Sequence, residues 1–191
     1  MSILISGLIL FLGMHSISIV APEWRDRVVA RIGLPLWQGA YSVLALIGLV
    51  LIVAGYGAAR SQPTFLYLLP RWTHAIAETL MLPVFPLLLA TYLPGTIRTV
   101  TRHPMLVAVK LWAVAHLIAN GSVADVLLFG SILAWAVLDR ISLKRRPLRP
   151  LRTAPAGKFN DLIVVVVGIA IYVAMLNGGH AWLIGVPLGL R

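Results

Sequence analysis

Cysteine is absent from this chain of 191 residues. That excludes disulfides, thiolate metal ligands, Cys-x-x-Cys redox chemistry and covalent c-type haem attachment, and leaves the redox compartment open. Charge is scarce as well. Only 12% of residues are charged, against about 25% in a soluble domain, and only six are acidic. Charge this dilute cannot coat a water-exposed surface. With 60% hydrophobic residues and a mean hydropathy of +0.93, a soluble globule and a disordered chain are both excluded. No internal repeat and no separate soluble domain is visible, so residues 1–191 read as a single transmembrane domain. No basic stretch precedes the first apolar run, which therefore reads as a retained span and not as a cleaved signal peptide.

What is present is a series of apolar runs. A helix crossing about 30 Å of hydrocarbon needs roughly 20 apolar residues. Six runs approach that length: Ile3–Ala21, Pro35–Tyr56, Ala75–Leu93, Met105–Ile118, Val123–Leu138 and Leu162–Leu176. The expected fold is all-α, a polytopic membrane bundle of about six transmembrane helices. The fourth and fifth runs are short and joined by Asn120-Gly121, so they read as a helical hairpin. Pro83 and Pro86 invite a kink in the third run. The tail His180–Leu190 contains Pro187 and reads as a capping or interfacial segment.

Sixteen Lys and Arg give a net charge of +10, and their positions explain it. Ala21–Pro35 carries Arg25, Arg27 and Arg31; Pro94–His103 carries Arg98 and Arg102; Arg140–Lys158 carries seven more. All three are read as loops on one side. The opposite side has Arg60, Arg71 and Arg191, and Lys110 lies within a span, where its stem can snorkel. By the positive-inside rule the basic loops face the cytoplasm and both termini face the periplasm. The charge therefore reports orientation in the bilayer, and no nucleic-acid partner is expected.

Ionisable groups within spans are costly and usually face a bundle interior or cavity. Here they are His15, His74, Glu78, Lys110, His116 and Asp125. Gly7, Phe11 and His15 share one helix face, with Gly7 and Gly13 permitting close approach; Trp112, His116 and Asn120 share another. His74 and Glu78 stand one turn apart as a candidate imidazole–carboxylate pair. Asp125 and Asp139 are read as groups that cap or terminate the fifth helix, and His180 as interfacial. A lone intramembrane histidine ordinarily makes a helix–helix hydrogen bond. Two on different helices, with no cysteine to compete, point to a metal or haem site. The depths of His15 and His116 below the cytoplasmic boundary differ by several ångströms at about 1.5 Å per residue. The pairs His15 with His103 and His74 with His116 therefore stay open.

Phe11-Leu12-Gly13-Met14-His15-Ser16, Arg102-His103-Pro104-Met105 and Leu111-Trp112-Ala113-Val114-Ala115-His116-Leu117-Ile118-Ala119-Asn120-Gly121 closely resemble the NnrU family of bacterial membrane proteins. So do Phe129-Gly130, Ala134-Trp135-Ala136 and Asp139-Arg140. The 15-cis-zeta-carotene isomerase of plants and cyanobacteria looks like a relative of this family. The resemblance implies an inner-membrane protein that binds haem b through His15 and His116, with His103 as a further cofactor-binding candidate. It implies either a polyene isomerase or a factor of nitrite and nitric oxide metabolism, with a polyene or nitric oxide as ligand. Arg102-His103-Pro104 also resembles a motif of membrane methyltransferases that bind S-adenosylmethionine, but no glutamate follows Glu78, and those enzymes carry a downstream glutamate pair.

Overall fold

The computed structural model describes residues 1–147, 149 and 151–188. The end of the tail segment and Arg191 lie outside the described residues. The described chain is all-helical, with one isolated antiparallel bridge between Phe65 and Ser122. It divides into two compact units. The first comprises residues 1–70 and 116–148, the second residues 71–115 and 149–191.

In the first unit, α1 (Ser2–Val20) and α3 (Leu34–Arg60) are long apolar helices that pack on each other, and α2 (Pro22–Ile32) connects them. Glycine sets the closeness of the α1–α3 contact. A Cβ on Gly7 would meet the backbone of Leu51 and Ile52, one on Gly48 the backbone of Phe11, and one on Gly55 the backbone of Leu4. These pairings define an antiparallel register along the whole interface, as expected where small residues let membrane helices approach. Gly13, by contrast, is exposed and meets nothing within 4 Å; of the two expected contact glycines only Gly7 serves. The stretch expected as a basic loop before Pro35 is the helix α2, begun by Pro22 at its first position, where a missing N–H costs nothing.

The hairpin expected around Asn120-Gly121 is present. Helix α7 (Pro104–Ala119) ends there and the next helix starts at once, as α8 (Val123–Asp125), a π-helical turn (Val126–Gly130) and α9 (Ser131–Ser142). Ser122 and Asp125 form a reciprocal capping box at its start. Near its other end Asp139 pairs with Arg146. Both aspartates thus sit at the helix ends, as their positions predicted.

In the second unit, the proline-bearing run is broken into α4 (Trp72–Met81) and α5 (Val84–Ala90), and α5 packs on α10 (Asn160–Ala174). Gly168 admits Pro86 against the α10 backbone. The stretch Pro94–His103, also expected as a loop, contains the short helix α6 (Thr96–Thr101). Asp161 accepts from the amides of Thr96 (2.7 Å) and Ile97 (3.1 Å), satisfying the start of α6. After α10, a π-helical turn with non-helical Asn177 and Gly178 leads into α11 (His180–Ile184); the tail is thus partly helical, set off by a kink.

Among the described residues four helical segments are long and apolar enough to cross a membrane: Ser2–Val20, Leu34–Arg60, Trp72–Ala90 and Asn160–Ile184. Pro104–Ala119 is a shorter apolar helix. All six predicted runs are helical, so six is the number of apolar helical runs and four the number of full-length ones.

Candidate functional site

His15 lies on the α1 face that Gly7 and Phe11 turn toward α3. Its Nδ1–H donates to the carbonyl of Phe11 at 2.7 Å, which fixes the tautomer and leaves Nε2 as the lone-pair nitrogen. The imidazole is walled by aromatic rings: Phe11 at 4.2 Å between centroids, Tyr41 of α3 at 5.3 Å, and Trp135 of α9 edge-on at 5.6 Å and 88°. The indole Nε1 of Trp135 is buried and has no hydrogen-bond partner in the structure. An unpaired buried donor in a low-dielectric interior is costly.

Beside His15 opens a cavity of about 450 Å³, lined among others by Ser18, Arg25, Trp37, Gln38 and Tyr41. That size falls within the range of small-molecule sites, about 300–1,000 Å³. The cavity lies between the end of α1 and the start of α3, and α2 brings Arg25 to its wall. The Arg25 side chain is only 15% exposed, lies 5.9 Å from the centroid of Trp37, and donates at 2.7 Å to Asp26, which is 57% exposed. The lining therefore combines aromatic rings with a cation and hydroxyl and amide groups.

His116 is held differently. Its ring stacks on Phe129 at 4.5 Å and 29°, and the π-helical turn Val126–Gly130 is what presents Phe129. Phe129 in turn meets Tyr56 edge-on at 6.0 Å. The Tyr56 hydroxyl donates at 2.5 Å to Asp125, whose carboxylate also accepts from the amide (2.9 Å) and hydroxyl (2.6 Å) of Ser122. Three donors satisfy this buried carboxylate, which meets the requirement for a charge in such a place. No hydrogen bond or ring contact joins the imidazoles of His15 and His116. Their aromatic partners stand apart on shared helices: Tyr41 and Tyr56 by about 22 Å of rise along α3, Trp135 and Phe129 by about 9 Å.

The end of His116-Leu117-Ile118-Ala119-Asn120-Gly121, the most specific segment of the resemblance, has a structural account. The Asn120 side chain donates to the His116 carbonyl at 3.0 Å. The Tyr67 hydroxyl donates to the carbonyls of Leu117 and Asn120, and the amides of Leu66 and Tyr67 reach the Gly121 carbonyl. A Cβ on Gly121 would collide with the Tyr67 backbone. The orphan carbonyls that end α7 are thus satisfied by a strand-like stretch laid across them.

His103 belongs to the second unit and is described with it. Arg102, immediately before it, has φ +60° and ψ −40°, and the His103 amide donates to the Thr101 carbonyl at 2.7 Å. This is a γ-turn of the strained kind, followed by Pro104 as the first residue of α7. Arg-His-Pro here reverses the chain between two helices. His74 is exposed and makes no ion pair with Glu78, whose carbonyl accepts from the Tyr172 hydroxyl at 3.0 Å. His180 Nδ1 lies 2.7 Å from the Val186 carbonyl. Among the described residues no group of three or more His, Cys, Asp or Glu is placed to hold a metal.

Sequence reasoning missed Arg25, Trp37, Gln38 and Tyr41 around His15, and the tie between Tyr56 and Asp125. The seven-residue spacing of Gly48 and Gly55 on α3 was a usable signal for the helix contact. Nothing in the linear pattern marked the cavity lining, because it converges from three helices.

Residues 3–188 match the family described as NnrU protein. The match covers nearly the whole chain, and the protein belongs to the NnrU family. No curated protein and no solved structure matches it.

Proposed function

We propose that this NnrU family member is a multi-pass protein of the bacterial inner membrane, with both termini periplasmic, that binds haem b in the cavity beside His15 and acts in nitrite and nitric oxide metabolism. The observation that carries the proposal is the Nδ1–H bond from His15 to Phe11. A histidine whose second ring nitrogen is held by a carbonyl is oriented and made more basic as a ligand.

The residues present fit the group. His15 would hold the iron through Nε2; Tyr41 and Trp37 would supply aromatic surface, Phe11 backs the His15 ring, and the Trp135 indole N–H is an unused donor beside His15. A chain without cysteine has no thiolate to offer iron, and histidine would be the natural ligand. When bound, haem b supplies one-electron redox chemistry and a coordination position for a diatomic ligand. The protein's own part is to orient the His15 ring, to wall off water with the aromatic rings and to place a cation at the cavity wall. On this reading His116 packs the π-helical turn through Phe129 and does not share an iron with His15, and His103 serves the chain reversal. The polar wall suits a small ligand better than a long hydrocarbon, which favours nitric oxide chemistry over polyene isomerisation.

The test is an absorbance spectrum of detergent-purified protein titrated with haem b. A saturable Soret band that is lost in His15→Ala is expected. No band, or a band unchanged in His15→Ala, would overturn the assignment. Under reducing conditions with 15-cis-zeta-carotene the substrate is expected to stay unchanged, and its isomerisation would restore the polyene reading.

A further inference from the structure

We infer that Arg25 is the anchor for an anionic group, so that the cavity beside His15 selects a flat aromatic ligand carrying carboxylates. The inference rests on the reading of that cavity as a ligand site and names the chemistry its ligand must have.

Among the described residues Arg25 is the cation that lines the cavity, and no acidic side chain lines it. The guanidinium is not a freely solvated surface group: its side chain is 15% exposed and lies near the indole of Trp37. Its one carboxylate partner is the adjacent Asp26, 57% exposed. An ion pair with a solvated neighbour contributes little, so a ligand carboxylate can displace Asp26 at small cost. A guanidinium receives a carboxylate through two parallel N–H donors, which fixes orientation as well as position. Gln38 and Ser18 add neutral hydrogen-bonding groups on the same lining, while Trp37, Tyr41 and His15 offer ring surface. The lining therefore offers ring surface to a planar apolar body and, at Arg25 on α2, a cation to its acidic edge.

The position of Arg25 has a sequence basis. Pro22 starts α2 immediately after α1 ends, and the chain turns so that the first turn of α2 lies against the beginning of α3. Trp24 meets Trp37 at 6.0 Å, which seats that turn. Arg27 and Arg31, on the same helix, are exposed and do not line the cavity.

The experiment separates this inference from the haem assignment by using a ligand without iron. Full-length protein in detergent is titrated with protoporphyrin IX and with its dimethyl ester, read by quenching of tryptophan fluorescence. The expected result is a preference for the free acid of about tenfold or more, the worth of a charge-assisted hydrogen bond. Arg25→Gln abolishes that preference, Arg25→Lys restores part of it, and Arg27→Gln leaves it intact. Equal binding of acid and ester by the wild-type chain, a preference that survives Arg25→Gln, or binding of neither porphyrin overturns the inference. Retained selectivity in His15→Ala shows that the anion anchor acts independently of iron ligation. Should haem give a His15-dependent Soret band while acid and ester bind alike, the haem assignment stands and the role of Arg25 falls.

Discussion

The two histidines that the sequence marks most strongly sit in different surroundings. His15 has one nitrogen tied to a backbone carbonyl and borders a cavity of about 450 Å³ with a cation in its wall. His116 is stacked face-on against Phe129, in a cluster completed by Tyr56 and Asp125. Residue type and burial are alike, each ring lies against a phenylalanine, and a cavity borders His15. An imidazole in a membrane helix becomes a candidate ligand when one nitrogen is tied to a carbonyl and the ring also lines space for a partner, as with His15; a neighbouring aromatic ring does not decide the matter, since both histidines have one.

His15→Ala should lower haem affinity by more than the roughly 10–100-fold seen when only a supporting partner of a ligand is lost, measured by absorbance titration. His116→Ala should leave that affinity within about twofold and instead lower stability, as a truncated ring costs roughly 2–4 kcal/mol, measured by thermal unfolding in detergent.

Next in size is the contact that positions His15. A side chain on Gly55 or Gly7 would meet backbone atoms that cannot yield, so Gly55→Val should cost about 1–3 kcal/mol or more. Gly13→Val, at a position with nothing within 4 Å, should change stability by no more than about 0.5 kcal/mol. Equal effects at the two sites would refute the α1–α3 register.

The cluster around Asp125 sharpens the comparison from the other side. Tyr56→Phe removes one of three donors to a buried carboxylate and should cost about 1–3 kcal/mol. The haem spectrum should be unchanged, since this cluster is assigned to packing.

The smallest effect concerns Tyr67, in the connection after α3. Burial first, and the Asp125 charge second, push its phenol above the ordinary tyrosine value, about 10. Because the folded state holds this proton more tightly, the associated stability is fully present below the unfolded value and is lost as pH rises through the higher folded one. Tyr67→Phe should be less sensitive than wild type to unfolding between neutral and strongly alkaline pH, read by circular dichroism. An identical alkaline profile would contradict the burial of that hydroxyl.

Much of the scaffold was legible because hydrophobic run length and turn chemistry are local. The six helical runs, the Asn120-Gly121 turn, the terminal placement of Asp125 and Asp139 and the contact at Gly7 all follow from neighbouring residues. The two basic stretches read as loops are helices α2 and α6, since charge density resembled a solvated loop although Pro22 marked a helix start. The π-helical turn depends on how Phe129 meets His116, a tertiary matter. The site was half legible. His15 stood out as an ionisable group in an apolar run, but Arg25, Trp37 and Tyr41 acquire meaning only when α1, α2 and α3 converge. Two histidines on different helices, with no cysteine to compete, suggested one metal or haem site; their ring neighbours, Phe11, Tyr41 and Trp135 for His15 and Phe129 for His116, come together only in the fold.

The most direct test of the central claim is the spin and ligation state of the iron in haem-loaded protein, read by electron paramagnetic resonance. The account predicts a ferric high-spin signal from a single protein ligand, present equally in wild type and His116→Ala and missing in His15→Ala. A low-spin two-histidine signal that His116→Ala converts to high spin would contradict it.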